Sequence, residues 1–204
     1  MKKRPVRIKK NVKLQIIEYP HHYLKKSFNE IKPLMIEIQS IKEEDKIIRN
    51  ALIEYVIIKT VTIFEIYFKS LAYKIGSNLG DKLDQILKGD LTDSGAALAH
   101  SFSYANPFSV KDIFSELLKV DIMEDAKKYF NTFNNEGVEH EEYHIRYIPL
   151  LSNNLVNFDK LFVYRNKIVH ENFSPTIKYT ELRKMVGSVF DVMAWSQMYN
   201  LRDR

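Results

Sequence analysis

Apolar positions along this chain recur every three or four residues far more often than every second one, so helices are expected and a sheet is not. The first helical pattern covers residues 21 to 41, with Pro33 marking a start or a break. The strongest runs from about 45 to 75. Ile48, Leu52, Tyr55, Ile58, Thr62, Glu65 and Lys69 step along one side, and Val56, Ile63, Phe64 and Ile66 make much of the rest apolar too. A helix apolar nearly all round is expected at the centre of a fold, and Gly76 is placed to cap it. Another helix is expected from a cap at Asn153 or Asn154 to about Asn172. Its stripes are Leu155, Phe158, Phe162, Arg165 and Val169, with Leu161 and Ile168 beside them, and Pro175 follows its end. The last helix is expected from a cap at Thr180 to about residue 200, burying Leu182, Met185, Val189, Val192, Met193 and Trp195.

The stretch between these patterns is less regular. Gly76, Gly80, Gly89 and Gly95 cluster there, with short helical pieces around 82 to 88 and 96 to 104. Ser109 and Asp112 resemble a capping box opening a helix to about 120, and residues 121 to 133 suggest one more. Residues 134 to 149, NNEGVEHEEYHIRYIP, read as a polar, acidic loop. Residues 1 to 19 alternate only loosely, which fits an extended arm or a short edge strand. The expected architecture is all-α: a four- to five-helix bundle over 21–204, with a helical insertion at about 77–150 and a basic arm at 1–20.

Composition agrees. Apolar residues are 45% of the 204, and Gly and Pro number six each, which suits long helices better than a turn-rich sandwich. The absence of cysteine rules out disulfides, thiolate zinc sites and a cysteine nucleophile, and suits a reducing cytosol. The basic start lacks the apolar stretch of a signal peptide, and no apolar run is long enough to span a bilayer, so a soluble cytoplasmic protein is expected. The formal net charge is +5, and residues 1 to 13 hold seven Lys or Arg and no acid. That arm reads either as a solvated tail or as a phosphate contact whose affinity would fall with salt.

Candidate chemistry starts with metals. His140 and His144 are four apart beside Glu139, Glu141 and Glu142, a superficial match to the H-E-x-x-H metalloprotease pattern. A third ligand is not evident, and Gly137 and Pro149 flank the stretch, so a solvated acidic loop explains it better. His21 and His22 are weaker still. There is no Gly-rich phosphate loop ending in GK[ST] and no G-x-S-x-G elbow, and no metal or cofactor is expected.

The stretch VYRNKIVHEN, residues 163 to 172, is different: it puts Arg165, Asn166 and His170 within six positions of a helical pattern that carries an apolar stripe. At about 100° per residue, Asn166 and His170 stand about 40° apart on one face and Arg165 about 140° from His170. One copy makes a loose set; two copies across a two-fold axis would bring both sets into one cleft. A histidine moves protons, an arginine holds phosphate and steadies transition-state charge, and an asparagine orients either. Without an acid or metal cluster these parts suit RNA, whose own 2′-hydroxyl is the nucleophile. The ordinary alternative is a histidine at a helix C-terminus and an arginine paired at the surface with Glu171 or Asp159.

YRNKIVHEN resembles the R-x(4-6)-H signature of the HEPN superfamily, with a polar residue directly after the arginine. The setting is similar too: the motif lies late, near the end of an apolar helix, with one more helix after it. VTIFEIYFKSLAYKI, residues 61 to 75, is similar to the family's first core helix with its acidic residue, here Glu65. The resemblance covers about 45–76 and 153–200. It implies an all-α bundle that dimerises with a cleft at the interface, and in many members a metal-independent ribonuclease. It also implies RNA as substrate and an antitoxin or anti-phage defence protein as partner. Arg165 would stabilise the phosphate, His170 would act as acid or base and Asn166 would support them. Glu65 transfers less firmly, since a helix-surface or capping contact explains it as well. A subgroup carries, two places after the histidine, a tyrosine that a partner nucleotidyltransferase modifies. Here that place is Asn172, which puts that mode of neutralisation in doubt. Some HEPN domains are inert and only bind, so a non-catalytic module for RNA or a protein partner is the alternative.

Overall fold

The computed structural model describes residues 20–79, 110–112, 115, 124 and 156–202. Four long helices carry the fold: α1 (Pro20–Ser40), α2 (Lys46–Leu79), α3 (Val156–Glu171) and α4 (Tyr179–Arg202), with a 3-10 turn, Glu43–Asp45, between the first two. The described positions 110–112, 115 and 124 are helical as well. No strand occurs among the described residues, so the all-α expectation holds. The basic arm at 1–20 except its last residue, the short helices expected at 82–88 and 96–104, and the loop carrying His140 and His144 lie outside the described residues.

Packing singles out two central helices. α2 packs against α1, α3 and α4, and α4 packs against α1, α2 and α3. The core side of α2 is Ile53, Val56, Ile57, Val61, Phe64, Tyr67, Phe68 and Leu71, all at most 1% exposed. Centrality was legible, but the stripe through Ile48, Tyr55, Ile58 and Thr62 is the outward one: Tyr55 is 51% and Ile48 59% exposed. When apolar residues occupy most of a helix's circumference, periodicity alone does not say which side is turned in. On α4 all six residues expected inside are buried, and Val186, Phe190 and Asp191 are buried beside them.

Three helix ends depart from expectation. Pro33 lies within α1 rather than at its edge. It removes only the bond to the Asn29 carbonyl, and both residues are exposed, so water can satisfy that group. α2 continues three residues past Gly76, because glycine lowers helix stability by only about 1 kcal/mol and does not itself end a helix. α4 begins one residue before Thr180: the Glu181 and Leu182 amides both donate to the Lys178 carbonyl, and Glu181 supplies first-turn negative charge.

Several buried hydroxyls of the long helices are satisfied within their own helix, whereas the buried Ser115 Oγ has no partner among the described residues. Thr60 Oγ1 donates to the Val56 carbonyl at 2.7 Å, Ser70 Oγ to Ile66 at 2.8 Å and Ser188 Oγ to Met185 at 2.8 Å. Ser196 Oγ lies 3.0 Å from the Tyr67 hydroxyl, tying α4 to α2 through the core. Asp191 is the costly one. Only 8% exposed, its carboxyl is pushed by burial from 3.8 up to about 7. Between about pH 4 and 7 the folded chain holds a proton that the unfolded chain has released, so stability falls as pH rises through that window and levels off above it. Asp191→Asn is therefore expected to melt several degrees above the parent at pH 8, with the gap shrinking towards pH 4; each unit of displacement is worth about 1.4 kcal/mol. Parallel melts at the two pH values check this, and an equal gap at both would remove Asp191 as the cause.

Candidate functional site

α3 starts in the core and ends outside it. Phe158 and Leu161 are fully buried and Phe162 is 3% exposed, all packed against α2 through Phe64, whose ring lies 5.5 Å from Phe158 and 5.0 Å from Phe162. One turn later the same side opens. Ile168 is half-buried and Val169 is 47% exposed, although both continue the apolar stripes. Arg165 leaves this opening side half-buried, while Asn166 and His170 lie exposed on the outer face. A helix with an apolar stripe carries these polar groups at little desolvation cost because its last two turns are no longer core.

The guanidinium then folds round the helix. Arg165 Nη1 donates to Asn166 Oδ1 at 3.1 Å. Its expected surface pairs with Asp159 and Glu171 do not form among the described residues. Asn166 thus draws the guanidinium towards the face that carries His170, without a direct bond between Arg165 and His170. The exposed set can take a phosphate, with Arg165 as the charged fork and His170 as the proton carrier.

Glu65 is placed elsewhere. Its carboxylate bonds Lys69 at 2.6 Å, one turn along α2, and is not joined to the motif. The helix-surface contact is what the structure contains. The described residues hold no group of three or more His, Asp or Glu side chains able to bind a metal ion, and no described helix is long and apolar enough to cross a membrane.

Beyond the motif the backbone turns sharply. Asn172 adopts φ 52°, and the Phe173 amide reaches back to the Lys167 carbonyl at 3.4 Å. Asparagine tolerates this left-handed cap, which a bulky side chain would strain. The loop is fastened to α2 at two points: Ser174 Oγ donates to Glu54 Oε1 at 2.5 Å and Arg49 Nη2 to the Ile177 carbonyl at 3.4 Å. Pro175 and Ile177 are buried beneath it. Here sequence reading missed a feature. Phe173, 38% exposed, stacks on Tyr164 with centroids 6.1 Å apart and planes at 25°, and the Lys167 ammonium lies 5.6 Å from the Phe173 ring centre. The available signal was an aromatic two residues beyond the helix end; nine residues back, Tyr164 is about two and a half turns away, so helical spacing does not pair them and the turn at Asn172 does. A shallow hollow lies away from the motif, on α1, lined by His22, Lys25, Lys26, Asn29 and Glu30.

Residues 22–194 match a family model described as RiboL-PSP-HEPN. No curated protein and no solved structure gives a significant match.

Proposed function

Because the chain belongs to the RiboL-PSP-HEPN family, we propose that it is a metal-independent endoribonuclease whose working groups are Arg165, Asn166 and His170. The observation that carries the reading is their placement: Asn166 and His170 are exposed at the open end of α3, with the Arg165 guanidinium held at 3.1 Å by Asn166.

The chemistry follows from what each group can do. The 2′-oxygen of RNA attacks the adjacent phosphorus while the bond from phosphorus to the 5′-oxygen breaks. His170 of one chain takes the 2′-hydroxyl proton, and a second His170 returns a proton to the leaving 5′-oxygen. Arg165 neutralises charge as it builds on the phosphoryl oxygens, and Asn166 keeps the guanidinium from swinging away. The products are a 2′,3′-cyclic phosphate and a 5′-hydroxyl. Two histidines require two chains, since each chain contributes one to the motif. The reading therefore includes a homodimer with one cleft on its two-fold axis. Val163 and Val169, 53% and 47% exposed beside the motif, support an additional chain surface there. A cytoplasmic role in toxin–antitoxin or anti-phage defence, restrained by a partner protein, is the biological setting we propose.

A second reading is a non-catalytic module that binds RNA or a protein. It is favoured by Arg165 leaving α3 about 140° from His170 and by Glu65 being held by Lys69 rather than by the motif.

The test is direct. Purified chain is incubated with single-stranded RNA in EDTA. Fragments ending in 2′,3′-cyclic phosphate are expected, with DNA and 2′-O-methyl RNA left intact and cutting reduced at least about a hundredfold by Arg165→Ala. Cutting that EDTA abolishes, or that Arg165→Ala leaves unchanged, overturns the mechanism. Intact RNA throughout favours the binding module.

A further inference from the structure

We propose that Phe173, backed by Tyr164 and flanked by Lys167, is a stacking platform for an unpaired RNA base next to the Arg165–Asn166–His170 set. The inference rests on the RNA-handling reading of that site and adds what selects the substrate: a nucleotide free to leave a duplex.

An aromatic residue more than a third exposed beside the proposed phosphate-binding set calls for an explanation. Phe173 is 38% exposed, yet it is not a loose surface side chain. One part of its ring rests on Tyr164, which is itself half-buried against the core. Its backbone is fixed on both sides, by the left-handed Asn172 before it and by the Ser174–Glu54 bond after it. Arg49 and the buried Pro175 and Ile177 hold the rest of the loop. A rigid ring loses little conformational freedom when a ligand stacks on it, which is how aromatic side chains serve in binding unpaired bases.

Charge favours a nucleotide as the ligand. The Lys167 ammonium lies over the Phe173 ring, 5.6 Å from its centre, on an exposed side chain, so a planar group that stacks there displaces it and then meets a cation beside it. A single protein side chain on the platform would satisfy the ring alone; one nucleotide satisfies the ring with its base and Lys167 with its phosphate. Phe173 follows His170 by three residues, a chain distance of at most about 10 Å, so base and scissile phosphate can belong to neighbouring nucleotides. Bases paired within an A-form duplex present no free face to such a ring, so the platform favours loops and single strands.

Binding is measured with a short 2′-O-methyl oligonucleotide, which lacks the attacking hydroxyl and cannot be cut, carrying 2-aminopurine at one position. The intact chain is expected to bind it and to quench the 2-aminopurine by stacking. Phe173→Leu keeps apolar packing on Tyr164 but removes the π-face; it is expected to bind about tenfold more weakly and to lose the quench, while Phe173→Trp retains both. Melting curves of both variants confirm that they fold. Lys167→Gln is expected to lower the slope of log K against log salt by about 0.7. The platform is overturned if Phe173→Leu binds and quenches like the parent, if a duplex depends on Phe173 as strongly as the single strand, or if the intact chain does not bind the oligonucleotide. Cleavage is scored separately on unmodified RNA. A chain that stacks the probe through Phe173 but cuts nothing keeps the platform and sinks the nuclease, and cutting with Phe173-independent binding does the reverse.

Discussion

His170→Ala is expected to lower the rate of RNA cleavage by about 10² to 10⁴, the usual contribution of a positioned acid or base, while leaving the melting temperature nearly unchanged. The separation of the two effects is what makes the substitution informative. His170 is exposed, lies one residue from the end of α3 and adds nothing to the core. Removing it therefore costs stability only at the scale of an exposed helix end, a few tenths of a kcal/mol. The decisive measurement is initial cleavage rate beside a thermal melt of the same preparation. Unchanged cleavage with normal folding would exclude the imidazole from the reaction. If the cleft belongs to two chains, activity per chain also falls on dilution below the dimer's dissociation constant; activity per chain that stays constant while sedimentation reports monomers would restrict the site to one chain.

The largest effect on stability belongs to Phe64→Ala. Phe64 is 1% exposed, and its ring contacts Phe68 at 4.5 Å, Phe162 at 5.0 Å and Phe158 at 5.5 Å. These rings are the joint between α2 and the inner half of α3. Truncation removes the buried ring and leaves a cavity among three others, an expected cost of about 3–5 kcal/mol. That corresponds to roughly 10 °C in melting temperature for a chain of this size. Tyr55→Ala, on the outward side of the same helix, is expected to cost under about 0.5 kcal/mol in the free chain. Urea unfolding of the pair settles the matter: similar midpoints would mean that α2 turns a different side inward. Phe64→Ala should also reduce cleavage, because α3 carries the motif and takes its position from this joint.

Much of the fold is legible from residue spacing, for a physical reason. A helix that buries one side must repeat apolar residues every three or four positions, and that repeat is in the chain before any packing occurs. It locates α3 to within a residue at its C-terminus and identifies the buried side of α4. It fails at α2, where apolar residues lie on both the covered and the uncovered sides. Helix ends fail for another reason. Pro33 and Gly76 weaken a helix without obliging it to stop, and whether it continues depends on tertiary contacts worth more than about 1 kcal/mol.

The candidate site divides along the same line. Arg165, Asn166 and His170 can be picked out by residue type and spacing, because proton transfer and phosphate binding each need particular groups. Their surroundings cannot. Whether Val169 is covered depends on where neighbouring helices lie, and Arg165 turning to Asn166 and Glu65 to Lys69 are choices among local partners that spacing offers but does not rank. Phe173 is the clearest case, since an aromatic after a helix looks like core until the loop is seen pinned with that ring still open to water. Sequence alone determined the helices, the family resemblance and three polar groups, because each is written in local spacing. Tertiary structure alone decided which sides are covered and which groups meet, because burial and contact arise only when distant segments compete for the same surface.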